Sequence, residues 1–402
     1  SGFLDAEIQQ TLKALSPRGE VKNFHYKDAI WTTDFYNIAF DSFEKYPGIS
    51  NLTGSIDWNK NSGSIFLNSQ DVEVRLAKVF AAPLQFDQLI GTVGLEKQEN
   101  NSWVIQTKNL NLVNHDLVAS PNLTLTVPEK LPASMDLTAD FHVMNAGHIT
   151  TYLPLKIFDA DLQKWLSEAF LAGQVDAGKA IFQGNLTDFP FDDGKGKFEI
   201  SGTVSNLDFN FAPKWPLLRH LQGTLDFKGR SMLVNINSGQ LLDIPLSHIV
   251  ARIPTMGTPT PEMLTVTSDP IHTDFSNGLH FIHQSPLEAT LGKQFSKVEL
   301  HGPIDLSLNL EIPLKKPDTA KVQGHIVMTT SSIDLPLWKL TLSGIKGALD
   351  FTENSITANG IQGNLMAFPM TLDIATQHPK GDTSHVLATV KSMMDITTLQ
   401  SC

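Results

Sequence analysis

Three histidines offer the first candidate chemistry. His280 and His283 stand in the run HFIH, with His272 upstream. Imidazoles are common metal ligands, but a centre needs further donors in fixed geometry. Read as a strand, the odd separation of His280 and His283 sends the two rings to opposite faces, so no metal is expected there. His142 and His148 flank VMNAG, again with no partner visible in the sequence. The stretch DFPFDDGKGKF (Asp188 to Phe198) has the Gly and Lys of a phosphate loop. It lacks the G-x-x-x-x-G-K-[ST] order because Phe198 follows Lys197, and it reads as a hairpin turn. Asp192 and Asp193 are adjacent turn carboxylates, better read as solvated than as an acid and base pair. No H-E-x-x-H and no G-x-S-x-G occurs. These residues predict no enzyme, no cofactor and no metal.

The bulk numbers narrow the partners. The chain has 402 residues, 41% hydrophobic and 18% charged, with net charge −12. The charged share is below the usual quarter or so, and Asn, Ser, Thr and Gln must keep much of the surface wet. The acidic balance argues against nucleic acid and against passive adhesion to an anionic membrane surface. It leaves contact with uncharged acyl chains open. The single cysteine, Cys402, excludes an intrachain disulfide and a Cys-based metal site. Such scarcity of thiols fits an oxidising compartment. No run of about 18 apolar residues exists to span a bilayer. The opening Ser1-Gly2 and the ending LQSC predict a segment of a longer protein.

Stepping to the elements, two helices are expected. Leu4, Ile8, Leu12 and Leu15 share one helical face before Pro17 and Gly19. Leu162, Trp165, Leu166 and Phe170 form a second stripe over 161–172, with Asp159 as N-cap and Gly173 just past the end. The second helix is expected to pack on a sheet edge or within a groove, its polar face not being basic.

Nearly everything else alternates with period two. IDLSLNLEIPL puts Ile304, Leu306, Leu308, Leu310, Ile312 and Leu314 on one side, and Asp305, Ser307, Asn309 and Glu311 on the other. Leu137 and Phe141 alternate likewise, as do Phe198 and Ile200, and Leu207, Phe209 and Phe211. With polar turns such as DDGKG and NKNSG between runs, the fold is mostly β and antiparallel, with about two dozen strands. At about 4.8 Å per strand, one sheet of that many would stretch on the order of 100 Å. Either several sandwiches follow one another, or one long sheet curls to shelter its apolar face.

A heptad recurs four times: LTGSIDW (Leu52–Trp58), LIGTVGL (Leu89–Leu95), LQGTLDF (Leu221–Phe227) and IKGALDF (Ile345–Phe351). Apolar residues hold its first, fifth and seventh places and glycine its third, all of one strand parity. In LQGTLDF this points Leu221, Leu225 and Phe227 inward and Thr224 and Asp226 outward. Glycine there permits a bulge, a bend, or close approach of another backbone. Gly223 is expected to mark a bend, with Trp215-Pro216 as the corner that feeds it. The glycine intervals are uneven, which suggests a shared unit with insertions rather than a strict solenoid.

The middle of the chain resembles the bacterial AsmA-like family, in its YhdP branch. The marks are Tyr152-Leu153-Pro154, WLSEAF with Gly173, GNLTDFPF (Gly184–Phe191), Gly196-Lys197-Phe198, and Trp215-Pro216 before LQGTLDF; LSPRGEVKNF (Leu15–Phe24) also fits. The resemblance is dense over about a fifth of the chain and looser elsewhere. It implies an envelope protein anchored in the inner membrane, mostly periplasmic. Its long, twisted antiparallel sheet would curl lengthwise into an open groove, similar to chorein-type lipid-transfer bridges. It implies no active site. In a bacterial chain the sequon-like Asn51, Asn122, Asn185 and Asn100 carry no weight.

Together these readings predict a periplasmic lipid-transfer segment carrying phospholipid acyl chains between inner and outer membrane. Its partners would be phospholipids, inner- and outer-membrane components, and the remainder of a longer membrane-anchored chain. The expected lining is Leu137, Phe141, Phe198, Ile200, Leu207, Phe209, Phe211, Leu221, Leu225, Phe227, Ile304, Leu306, Leu308, Leu310, Leu349 and Phe351. The alternative is a non-transporting β-sandwich scaffold or regulator of envelope assembly. The expected segments are an N-terminal helix at 1–19, a β-groove segment at 20–146, a helical insertion at 147–176, the signature β segment at 177–255, and a further β-groove segment at 256–402.

Overall fold

The computed structural model describes residues 13–43, 46–289, 298–366, 368–377 and 385–393. The chain divides into two compact units: residues 1–207 with 225–229, and residues 208–224 with 230–402. Leu4, Ile8 and Leu12 of the expected first helix lie outside the described residues, which begin with a helical Lys13–Leu15.

The fold is mostly β and antiparallel, as expected, with 22 strands among the described residues. The first unit runs through β1 (Arg18–Lys27), β2 (Ile30–Phe40), β3 (Gly48–Trp58), β4 (Ser62–Arg75), β5 (Leu84–Lys97), β6 (Trp103–Val113), β7 (Leu117–Val127), β8 (Ser134–Val143) and β9 (Phe170–Asn185). Each pairs antiparallel with the next. All ten residues of β1 are exposed, so the ladder ends there as an open edge rather than closing into a barrel. β10 (Lys197–Phe209) and β11 (Leu218–Lys228) have residues in both units.

The second unit continues with β12 (Ser231–Leu241), β13 (Ile244–Ile253), β14 (Met263–Ser268), β15 (Ile271–Asp274), β16 (Glu299–His301), β17 (Pro303–Pro313), β18 (Lys321–Leu335), β19 (Leu340–Thr352), β20 (Ile356–Leu365), β21 (Phe368–Gln377) and β22 (His385–Ser392). β14 and β15 share the partner β17, and β16 pairs with the far half of β18. From β17 to β22 the strands form a meander.

Helix α1 (Ala160–Ala169) starts where expected: the Asp159 carboxylate accepts a hydrogen bond from the Leu162 N–H. It ends sooner than expected. Phe170 already opens β9, and Gly173 is a strand residue at φ +118°. A Cβ on Gly173 would sit 2.6 Å from the Leu207 Cα, so it is glycine because two backbones meet. Helix α2 (Phe275–His283) was not expected at all, because HFIH reads as a strand. Asp274 caps it through Ser276, and Phe275, Leu279 and Ile282 make an i, i+4, i+7 stripe that mid-helix Gly278 obscures. Burial pushes the Asp274 carboxyl up, but hydrogen bonds from Ser276 and the Gly302 N–H outweigh it and hold it below its ordinary range.

The strands bend at bulges, and the bends are built from glycine and asparagine. Gly19 faces Asn37, Gly91 faces Asn109 and Gly173 faces Asn206, each asparagine in the left-handed region. Gly347 faces Ile361, beside left-handed Gly360. Short polar side chains tolerate that conformation. The register slips between Ile90 and Thr92 and on both sides of Lys346, so the heptad glycines Gly91 and Gly347 sit at bulges. Gly54 and Gly223 work differently. A Cβ on Gly54 would lie 1.9 Å from the Phe66 carbonyl oxygen, and one on Gly223 2.1 Å from that of Asn235. Asn51, one of the sequon-like asparagines, is left-handed at φ 64° and donates to the Asp71 carbonyl. Gly223→Val is expected to destabilise by about 1–3 kcal/mol, measured by denaturant midpoint, because the obstacle is backbone and cannot swing aside. This differs from a mere change of shape at a flexible bend.

Buried cores form in both units. Val72, Phe86 and Leu89 form one, with Ile49, Leu52, Leu110 and Leu112 against it. Ile304, Met328, Leu342, Ile345, Ile361, Met370 and Leu372 are the main members of the other, with Phe275 of α2 packed on it.

Candidate functional site: a half-open apolar sheet face

Directly paired residues share a face, so the registers trace rows across the sheet. In the first unit one row runs Trp31, Trp58, Gly63, Leu95, Ile105, Leu125, Met135, Gly184 over eight strands, β2 to β9. A parallel row holds Ile56, Ile65 and Val93, and after Thr107 resumes with Leu123, Leu137 and Phe182. One residue over, on the opposite face, the row reads Asp57, Ser64, Gly94, Gln106, Thr124, Asp136, Gln183. One face is therefore apolar and the other polar across the whole breadth of β3 to β9. None of the residues in the two apolar rows is fully buried. A closed sandwich core would bury them.

Three glycines paired across strands with aromatic residues lie under their rings. A Cβ on Gly63 would enter the Trp58 indole, on Gly178 the Phe141 ring, and on Gly324 the Phe351 ring. Cross-strand glycine–aromatic pairs lay the ring flat along the sheet and keep the floor low.

The second unit also carries apolar rows, but here Ile271 and Gly324 are buried. Ile271, Leu306, Ile326 and Leu349 form one apolar row, and Leu308, Gly324, Phe351 and Ile356 another. Val234, Ala251, Val266, Leu310 and Val322 extend the same character through β12, β13 and β14. The facing row carries Ser307, His325 and Asp350, with His325 Nδ1 2.7 Å from the Asp350 carboxylate.

The expected lining residues fall into five groups. Leu137, Phe141, Leu306, Leu308, Leu310, Leu349 and Phe351 are half-exposed residues of the apolar rows. Leu207, Leu221 and Ile304 are buried, at 8%, 4% and 4% exposure. Phe198 joins Phe182, Phe189 and Phe191 in an aromatic cluster, with Phe189 and Phe198 edge to face at 5.1 Å. A Cβ on Gly184 or Gly196 would strike Phe191, so the GNLTDFPF and GKF marks fold into one packed corner. Phe211 lies past the end of β10 and meets Trp215, which stacks toward Phe281 of α2. Ile200, Phe209, Leu225 and Phe227 are half-buried strand residues. Trp31, Trp58, Leu95, Ile105, Ile65 and Phe182 also belong to this apolar face and are absent from the expected set. Their alternation was visible, but only the register aligns them.

One end of the first unit is closed by its connections. Asn114 accepts from the Asp116 and Leu117 N–H groups and donates to the Gln85 carbonyl. Tyr152, its phenol raised mainly by burial, stays a neutral partner of the Asn114 amide. The segment after β8 crosses the strand ends, with the Lys156 N–H and ammonium on the Val79 and Ala77 carbonyls.

The histidines correct the earlier reading. His280 and His283 share a helix, and bond separately to Asp243 (3.1 Å) and to Glu288. His272 pairs with Asp305. His148 does have a partner, the buried Asp116, at 2.9 Å.

The fold and faces define a class: in each unit, antiparallel strands with an apolar face, a polar face and a buried core at their bulged ends. A sequence model of the family described as "YhdP protein" matches residues 1–401, and the chain belongs to that family. A relative from Escherichia coli (strain K12), "Intermembrane phospholipid transporter YhdP", is 21% identical over 341 residues. The match covers 85% of this chain and 26% of that protein, so the chain spans about a quarter of this relative. No solved structure matches. Among the described residues, no helix is long and apolar enough to cross a membrane.

Proposed function

We propose that this chain is a lipid-carrying segment whose apolar face holds phospholipid acyl chains while the headgroup stays in water, as part of an inner-membrane-anchored protein bridging the periplasm to the outer membrane. The observation that carries the reading is the continuous, half-exposed apolar row from β2 to β9, backed by a polar row one residue away. Membership of the YhdP family and the printed name of its E. coli relative support it. Burying a methylene yields about 0.8 kcal/mol when complete. A floor that covers one side of the chain returns a similar fraction of this at every row. No position traps the lipid, and it can slide. No residue needs to recognise a particular headgroup.

The test is native mass spectrometry with lipid extraction, together with photo-crosslinking residues at Leu225 or Leu308. Co-purified phospholipid and crosslinks at both sites are the expected result. A lipid-free chain with no crosslink at either site would support the scaffold instead.

A further inference from the structure

We propose that His115, Asp116 and His148 form a binding site for a divalent transition-metal ion, zinc being the natural occupant, that clips the closed end of the first unit. Nδ1 of His148 lies 2.9 Å from Oδ2 of Asp116, and Nε2 of His115 lies 3.1 Å from the same oxygen. All three donors lie within 4.8 Å of one another. A tetrahedral ion with bonds of about 2.0–2.1 Å spaces its ligands about 3.3 Å apart, within a few tenths of the His–Asp separations. Two imidazoles and one carboxylate suit zinc and its neighbours; calcium and magnesium favour all-oxygen sets. The fourth position would be left to water.

The site is braced from three directions. The Asp116 side chain is only 7% exposed, and a buried carboxylate is costly unless paired or metal-bound. Its backbone N–H is held by Asn114, and its carbonyl accepts the Met144 N–H at 2.8 Å. His148 rides on the turn Ala146–Tyr152, which Asn145 caps through the Gly147 N–H. Such outer contacts orient ligands before the ion arrives. Both histidine side chains are more than half exposed, so an ion has an entry path. The consequence is mechanical. The ion would tie the β6–β7 turn to the segment that continues to Lys156 and crosses to Val79. It would brace that end without touching the apolar rows.

The experiment is calorimetric titration of zinc chloride into chelator-treated chain, with cobalt(II) visible absorption as the geometric readout. One ion per chain and tetrahedral-type cobalt bands are expected. His148→Gln and His115→Gln should each weaken zinc about ten-fold or more. His283→Gln should change nothing. Absence of heat and of cobalt bands would overturn the site and leave a hydrogen-bond cluster only. Binding that survives both variants and disappears in Glu299→Gln would place the ion at the separate Glu299–His301–Asp334 group and also overturn it.

Discussion

Replacing Leu306 and Leu308 together by Asp is expected to abolish lipid co-purification while the chain keeps its circular dichroism spectrum and cooperative melting. Both side chains are themselves half-exposed on β17, so new carboxylates there remain in reach of water. An ion in water-accessible surface escapes the heavy desolvation penalty that burial would impose. The same charges lie in the path of any acyl chain crossing Ile326 and Gly324, their partners on β18. A methylene pressed against an ionised carboxylate forgoes its transfer free energy and strips water from the charge. On the proposed lipid-carrying reading, the two-residue patch therefore becomes a barrier. Unfolding of the double variant would mean that these rows form a closed core. A folded variant that still carries lipid would remove the second unit's face from the pathway.

Ile345→Ala is expected to do the opposite: to lower stability by about 2–5 kcal/mol and the melting temperature on the order of 10 °C, without creating a polar barrier. Ile345 is fully buried among Leu342, Ile361 and Met370, and close packing leaves little room for the hole to collapse. Leu349→Ala, four residues along the same strand, is the control. Leu349 is half-exposed, so its truncation should cost less than about 1.5 kcal/mol. Equal losses at both positions, read by differential scanning calorimetry, would show that the strand has no buried and open arms.

Those two arms explain the heptad. Its first position is buried in three of four copies: Leu89 at 8%, Leu221 at 4% and Ile345 at 0% exposure. Its fifth and seventh positions are half-exposed in every copy. The glycine between them is where another backbone comes close or where the register slips. LQGTLDF thus runs from a sealed end, across a crowded bend, onto an open floor.

Period-two alternation and short polar turns determined the antiparallel β class, and the heptad parity determined which side chains share a face, because both depend only on the chain's own geometry. The Asp159 cap was legible for the same reason. Helix α2 was not, since a mid-helix glycine and a His-x-x-His spacing serve strand and helix equally. Asn37, Asn51 and Asn109 read as ordinary polar residues until the opposing strand showed them at bulges. The row from Trp31 to Gly184 and the meeting of Asp116 with His148 were decided by tertiary structure alone. A residue's parity is local, but its neighbours on the next strand depend on register, and every bulge resets that register by contacts the sequence does not write down.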